Sequence, residues 1–289
     1  MICNLCPRNC GAERTAAASG GFCAMPLTPV VAKAMLHRWE EPCLVGANGA
    51  GTVFFSGCNL RCSFCQNTPI SHGGFGKSVS SIRLREIFDD LIAQGAACID
   101  LVTPTQFTPA ILEALAQPLP VPVVWNSGGY EKPETLKLLA GKVQVYLPDL
   151  KYALPAPAKA LSGAADYFDW AAPALLEMFR QTGPYRMENG LLQSGLLIRH
   201  LLLPGQLENT RRCIDFVAAN FRPGEVLFSL MSQYTPQPGA AGNLARHVTK
   251  SEYAAAVAYM ENCGLTDGYL QERTSAKEEY TPQFDLSGV

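Results

Sequence analysis

The chain has 289 residues, 48% of them hydrophobic, which supplies one large core and excludes an intrinsically disordered chain. Its 23 basic and 25 acidic residues leave a net charge of −2. With no basic run in view, nothing favours nucleic acid or an anionic membrane as a partner. No uncharged apolar stretch approaches 18 residues, and the opening MICNLCPRNC lacks an apolar leader. A transmembrane helix and a signal peptide are therefore not expected, and the protein is expected to be cytoplasmic.

Residues 1–50 hold cysteine, glycine and proline with little periodicity, and read as a small cysteine-rich lobe ahead of a main domain at 51–289. Four thiols, Cys3, Cys6, Cys10 and Cys23, fall here. In a reducing compartment such a group reads as a metal site rather than disulfides. Four soft ligands suit zinc or an auxiliary iron–sulfur cluster equally, and the spacing does not choose. From Thr52 onward short apolar runs alternate with helical patterns. The runs Thr52–Ser56, Cys98–Val102, Val121–Trp125, Val143–Leu147, Leu196–Leu202 and Val226–Leu230 are nearly continuous in apolarity, as strands buried on both faces are. Between the first two, Leu84, Ile87, Phe88, Leu91 and Ile92 mark one helix stripe. Pro133 starts another helix and Gly141 follows it. The stretch from Leu154 to Ser194 is long for one crossover and should hold extra helix, including Ala171–Phe179. Ser251 is a plausible N-cap for the last helix, which Gly264 ends. Six strands alternating with helices predict a parallel sheet with right-handed crossovers. The fold class expected is a partial (βα)6 TIM-like barrel, with ligands at the C-terminal strand ends.

The first of those ends is Gly57-Cys58-Asn-Leu-Arg-Cys62-Ser-Phe64-Cys65. Three thiolates on one loop can hold three irons of a [4Fe–4S] cube and leave the fourth iron open. A structural zinc knuckle normally wants four ligands, so three cysteines after a first barrel strand fit it poorly. The scattered Cys98, Cys213 and Cys263 read as small core residues; Cys43 is either core or a stray ligand. After the fourth run, Asp149 and Lys151 alternate onto one face.

Cys58-x3-Cys62-x-Phe64-Cys65 resembles the signature of radical S-adenosylmethionine (SAM) enzymes. The chain is similar more narrowly to homologues of pyruvate formate-lyase activating enzymes that begin with a CPRxCG segment. The matching pieces are Cys6-Pro7-Arg8-Asn9-Cys10-Gly11, Gly57–Asn67, Leu101–Thr105, Trp125–Tyr130, Leu147–Tyr152, Ile198–Gly205 and Met231–Tyr234. The resemblance implies a [4Fe–4S] cluster on Cys58, Cys62 and Cys65, SAM as its partner, and cleavage of SAM to a 5′-deoxyadenosyl radical. It implies adenine near Phe64 and the SAM carboxylate on Lys151 and Arg199. Asn126, Ser127 and Asp149 would meet ribose or a cation. In place of the family's Gly-Gly-Glu-like edge stand Thr103 and Thr105. An activase-like enzyme would take hydrogen from a protein or peptide and draw electrons from a donor such as a flavodoxin or ferredoxin. A small metabolite is the alternative substrate, and a non-catalytic iron–sulfur carrier the alternative class. Gln233, Tyr234, Gln271 and Glu272 are candidates to face substrate, Tyr234 more readily as a packed rim residue. His37–Pro42 is read as a connector packing on the barrel, with a substrate-facing role the lesser alternative, and Gly73–Gly76 as a flexible rim.

Overall fold

A computed structural model describes residues 2–271 and 282–289. In chain order it contains β1 (Val30–His37), α1 (Pro42–Val45), β2 (Ala50–Phe55), α2 (Thr68–Ser71), β3 (Lys77–Ser78) and α3 (Ser81–Ala93). Next come β4 (Ile99–Val102), α4 (Thr108–Ala114), β5 (Val123–Ser127), α5 (Pro133–Lys137), β6 (Val145–Pro148), α6 (Pro155–Ser162) and α7 (Tyr167–Thr182). The chain continues through β7 (Arg186–Glu188), β8 (Leu191–Leu201), α8 (Leu207–Asn220), β9 (Leu227–Met231), α9 (Lys250–Asn262) and β10 (Gly268–Leu270).

All six expected runs are strands. They pair in parallel in the order β2-β4-β5-β6-β8-β9. Every residue of β2, β5, β6 and β9 is buried, which is why these segments lack an alternating polar face. The sheet does not close, so the fold is a partial, open TIM-like barrel, as expected. β10 extends it in parallel beyond β9. At the other edge, β1 and β3 add antiparallel.

The helices follow their stripes. α3 buries Leu84, Ile87, Phe88 and Leu91, and Ser80 caps it. α5 begins on Pro133. The long crossover holds α6, α7 and one arm of a hairpin, β7–β8, that runs on into the barrel. The cap of α9 is Thr249 rather than Ser251. Thr249 and Glu252 form a reciprocal capping box, which satisfies two helix-end donors where Ser251 would serve one.

The strand layer begins earlier than expected. In β1, His37 lies opposite Ala50 of β2, so the hydrogen bonds run across residue 50, where the lobe was expected to end. The segment without strand or helix of its own stops before Val30. Cys43, Cys98 and Cys213 are buried core residues, and Cys43 joins neither cysteine group.

His200 of β8 ties the sheet to its outer helices. It is fully buried. Its Nδ1 donates to Leu150 O at 2.6 Å, which leaves Nε2 to accept from Thr210 Oγ1 at 2.9 Å. Burial pushes its pKa down from 6.5 to about 4. The unfolded chain therefore takes up this proton first, and the stabilisation is lost as pH falls from 6.5 toward 4. Chemical denaturation of wild type and His200→Gln should show the stability difference between them shrinking by about 2 kcal/mol from pH 7.5 to pH 5. A difference independent of pH would mean that His200 is not held neutral.

Candidate active site

The loop after β2 turns sharply at Gly57, where φ is +77°. A Cβ there would run into Met25 and lie 2.9 Å from the Cys23 carbonyl oxygen. Only glycine combines that backbone with that contact. Beyond the turn, each expected cluster sulfur meets a donor or hydroxyl. Leu60 N–H donates to Cys58 Sγ at 3.3 Å, and Ser162 Oγ, at the end of α6, donates to Cys62 Sγ at 3.0 Å. Cys65 Sγ lies 3.2 Å from Ser71 Oγ on α2. Tyr152 Oη and His72 Nδ1 back these two serines at 2.7 and 2.8 Å. Hydrogen bonds of this kind tune cluster thiolates.

Burial, reinforced by Cys62, pushes the Cys58 thiol up to about 12. Burial also raises Cys62, partly offset by Lys151. Without metal, Cys58 and Cys62 are therefore neutral thiols at neutral pH, and ligation must release their protons. Among the described residues no three of His, Cys, Asp and Glu are grouped to hold a single metal ion. A cube of iron and sulfide takes one thiolate at each of three separate corners, an arrangement that three thiols on one cavity wall could supply.

Cys58, Cys62 and Cys65 open on a cavity of about 690 Å³. It is also lined by Phe64, Thr103, Asn126, Ser127, Asp149, Lys151 and Arg199, all but Phe64 from the C-terminal ends of β4, β5, β6 and β8. The charges form one network. Asp149 bonds Lys151 Nζ at 2.6 Å and Arg199 Nε at 3.1 Å. Arg199 also donates to Asn126 Oδ1 at 2.6 Å and Glu40 Oε1 at 3.0 Å. Burial would raise the Asp149 pKa, but Lys151 and Arg199 outweigh it and hold the carboxyl below its usual range. Asp149 likewise outweighs burial at Lys151 and keeps it protonated. Deeper in the barrel, burial and the charge of Glu40 push Asp100 well above the usual carboxylate range. That favours an uncharged Asp100, whose Oδ2 contacts Asn126 at 3.4 Å.

One expected residue lies elsewhere. Thr105 does not line this cavity; its hydroxyl donates to Glu131 and it faces the cysteine lobe. β4 stops at Val102, and a tight helical turn at Thr105–Phe107 rotates Thr105 away. Thr103 stays at the cavity in a left-handed conformation, φ +58°, unusual for a β-branched residue. Its N–H bonds Asn126 O, and its carbonyl accepts from Gln106. Gly73–Gly76 is a packed turn rather than a free rim: Gly76 lies against Val30 and Ser56, whose hydroxyl bonds Phe75 O. Gln233, Tyr234 and Gln271 border the cavity, with Tyr234 buried and bonded to Leu244 O at 2.6 Å. Glu272 lies outside the described residues. Sequence reasoning missed Glu40 as a network member, and it missed Asp100, whose signal was an acid inside an otherwise apolar strand.

No family model matches the chain. It is 29% identical over 283 residues to an uncharacterized protein of Methanocaldococcus jannaschii, covering 91% of this chain and 75% of that one. Among solved structures it is similar to HydG, a maturase of the [FeFe]-hydrogenase (TM-score 0.52, 12% identity, 78% of this chain and 52% of that one). It is also similar to methylornithine synthase PylB (TM-score 0.51, 14% identity, 73% and 61%). A structure of Streptococcus suis SuiB bound to the precursor peptide SuiA aligns at TM-score 0.49, with 11% identity, 75% of this chain and 47% of that one. The chain thus spans less than two thirds of each of these solved proteins. HydG and PylB show the fold.

Gly57→Ala should cost about 1–3 kcal/mol in urea denaturation, because the new methyl overpacks Met25 and strains a left-handed residue. A variant as stable as wild type would show that the loop does not depend on this close approach.

Proposed function

We propose that this chain is a radical SAM enzyme in which Cys58, Cys62 and Cys65 hold a [4Fe–4S] cluster and SAM lies beside it. The observation that carries the reading is that the three thiols and the strand-end charges border one cavity. Its volume is within the range of ligand pockets. The cluster, when bound and reduced, supplies the electron that cleaves SAM to methionine and a 5′-deoxyadenosyl radical.

The chain's own residues orient the ligand. Lys151 offers a point charge to the SAM carboxylate and Arg199 a planar fork already aligned by Asp149 and Glu40. Phe64, buried beside Cys65, gives adenine an apolar wall. Asn126, Ser127 and Asp149 meet the ribose or a nearby cation. Thr103, its backbone N–H and carbonyl already bonded, turns its side chain to the cavity where SAM's amino group belongs. The substrate is a protein or peptide from which a hydrogen atom is taken, as in a glycyl-radical activase. The exposed Trp39 and Leu270 at the rim of the cavity support that choice, since apolar side chains at a mouth suit docking of a chain segment.

Enzyme reconstituted anaerobically with iron and sulfide, reduced with dithionite and given SAM, should form 5′-deoxyadenosine. Cys62→Ala should form none. Arg199→Ala should raise KM for SAM by about tenfold or more, the loss of a charge-assisted hydrogen bond. Four bound irons with no product at any SAM concentration would sink the reading. For the substrate class, cellular protein labelled with α-deuterated glycine should pass deuterium into the 5′-deoxyadenosine; unlabelled product would rule out abstraction from a glycyl residue.

A further inference from the structure

Arg8 sits between Cys6 and Cys10, in the cysteine segment that the proposed reaction leaves without a task. Its guanidinium donates to four main-chain carbonyls. Two, Asn59 O at 2.6 Å and Leu60 O at 3.3 Å, belong to the turn that spaces Cys58 from Cys62. The other two, Ser162 O at 2.7 Å and Gly163 O at 2.6 Å, close α6. Ser162 is the residue whose hydroxyl bonds Cys62 Sγ. Phe22 of the same segment covers the guanidinium at 4.0 Å, and Tyr130 lies 5.3 Å from it. One side chain therefore fixes both the separation of two expected cluster ligands and the hydroxyl that faces one of them. Five donors in a rigid fork can do this; a lysine cannot.

Something must hold Arg8 itself. Residues 2–29 contain no helix or named strand, only the isolated bridges Ile2↔Glu13 and Arg14↔Ser19. A segment this small buries little apolar surface of its own, and such segments commonly add a crosslink or metal. Its four cysteines, Cys3, Cys6, Cys10 and Cys23, border a single small cavity, whose far wall includes Asn59 and Gln106 of the barrel. Gln106 in turn donates to Ser56 O and Gly57 O at 2.9 and 3.1 Å. The sulfurs surround that cavity without being grouped for a single ion, so a metal bound there would have to draw the segment inward.

We propose that Cys3, Cys6, Cys10 and Cys23 bind a metal centre through thiolates, and that this centre stiffens the lobe so that Arg8 holds the Cys58–Cys62 turn. Arg8 is a positioning residue: it acts on the ligand loop and touches no reacting atom. Four thiolates take zinc or iron with sulfide. The naming of the neighbouring loop as a SAM-cluster site rests on the function proposed above; the coupling of lobe to loop does not.

The test compares wild type, Arg8→Ala, Arg8→Lys, Cys10→Ser and a folded Cys58→Ala/Cys62→Ala/Cys65→Ala triple variant, purified without oxygen. The triple variant should retain a metal that Cys10→Ser loses. Zinc without sulfide makes it a single-ion staple, iron with sulfide a second cluster, and a triple variant free of metal overturns the proposal. Hydrogen exchange should accelerate about tenfold or more at residues 59–62 and 163–164 in Arg8→Ala and Cys10→Ser, less in Arg8→Lys, with the central strands unchanged. Unchanged exchange at 59–62 overturns the clamp. Neither readout uses SAM or turnover, so these results stand or fall separately from 5′-deoxyadenosine formation.

Discussion

A guanidinium enclosed by a barrel sets the terms for everything around it. Arg199 is only 14% exposed, and a buried cation is tolerated only with paired charge and filled hydrogen bonds. Its partners come from three segments: Asp149 after β6, Asn126 in β5 and Glu40 after β1. β6 and β8 share just two paired positions lower down, Val145↔Gly195 and Tyr146↔Leu196. They meet again at the bridge between Asp149 and Arg199. The charges thus complete a seam that the strands leave thin, and they aim Lys151 at the cavity in doing so. Stability and ligand geometry draw on the same few side chains.

The sulfur-bearing loop is organised differently. It has no paired strand to fix it, so its shape is borrowed from neighbours: Met25 and Cys23 against Gly57, Ser162 behind Cys62, Ser71 behind Cys65 and Arg8 across the turn. Packing and hydrogen bonds from three regions, the N-terminal segment, α2 and α6, converge on residues 57–65. Convergence of this sort holds the loop in one shape without a strand of its own.

The six parallel strands were legible because burial on both faces leaves a plain apolar signature. β1 was not: Lys33 interrupts its apolar run, and the partner that offsets that charge, Asp285, lies 252 residues away. The β7–β8 hairpin carried a readable sign in Asn189-Gly190, both residues at positive φ, the turn chemistry that two-residue hairpins favour. Thr105 was misplaced because it was set beside Thr103 at the end of the strand, whereas a helical turn after Pro104 carries it away. The cavity positions of Asp149, Lys151, Asn126 and Arg199 could be anticipated, since each lies near or just past the C-terminal end of a strand. Glu40 and Arg8 could not, because their roles exist only through contacts with distant segments.

The burial of Cys58 and Cys62 also sets how their sulfurs react. Attack on oxidants and alkylating agents needs an accessible thiolate. Burial holds Cys58 and Cys62 protonated, so these two sulfurs are chemically quiet. Cys10 is the opposite case. It is exposed, and the backbone amides of Ala12 and Phe22 outweigh its slight burial to lower its pKa. Oxidative damage would reach Cys10 before Cys58 and Cys62.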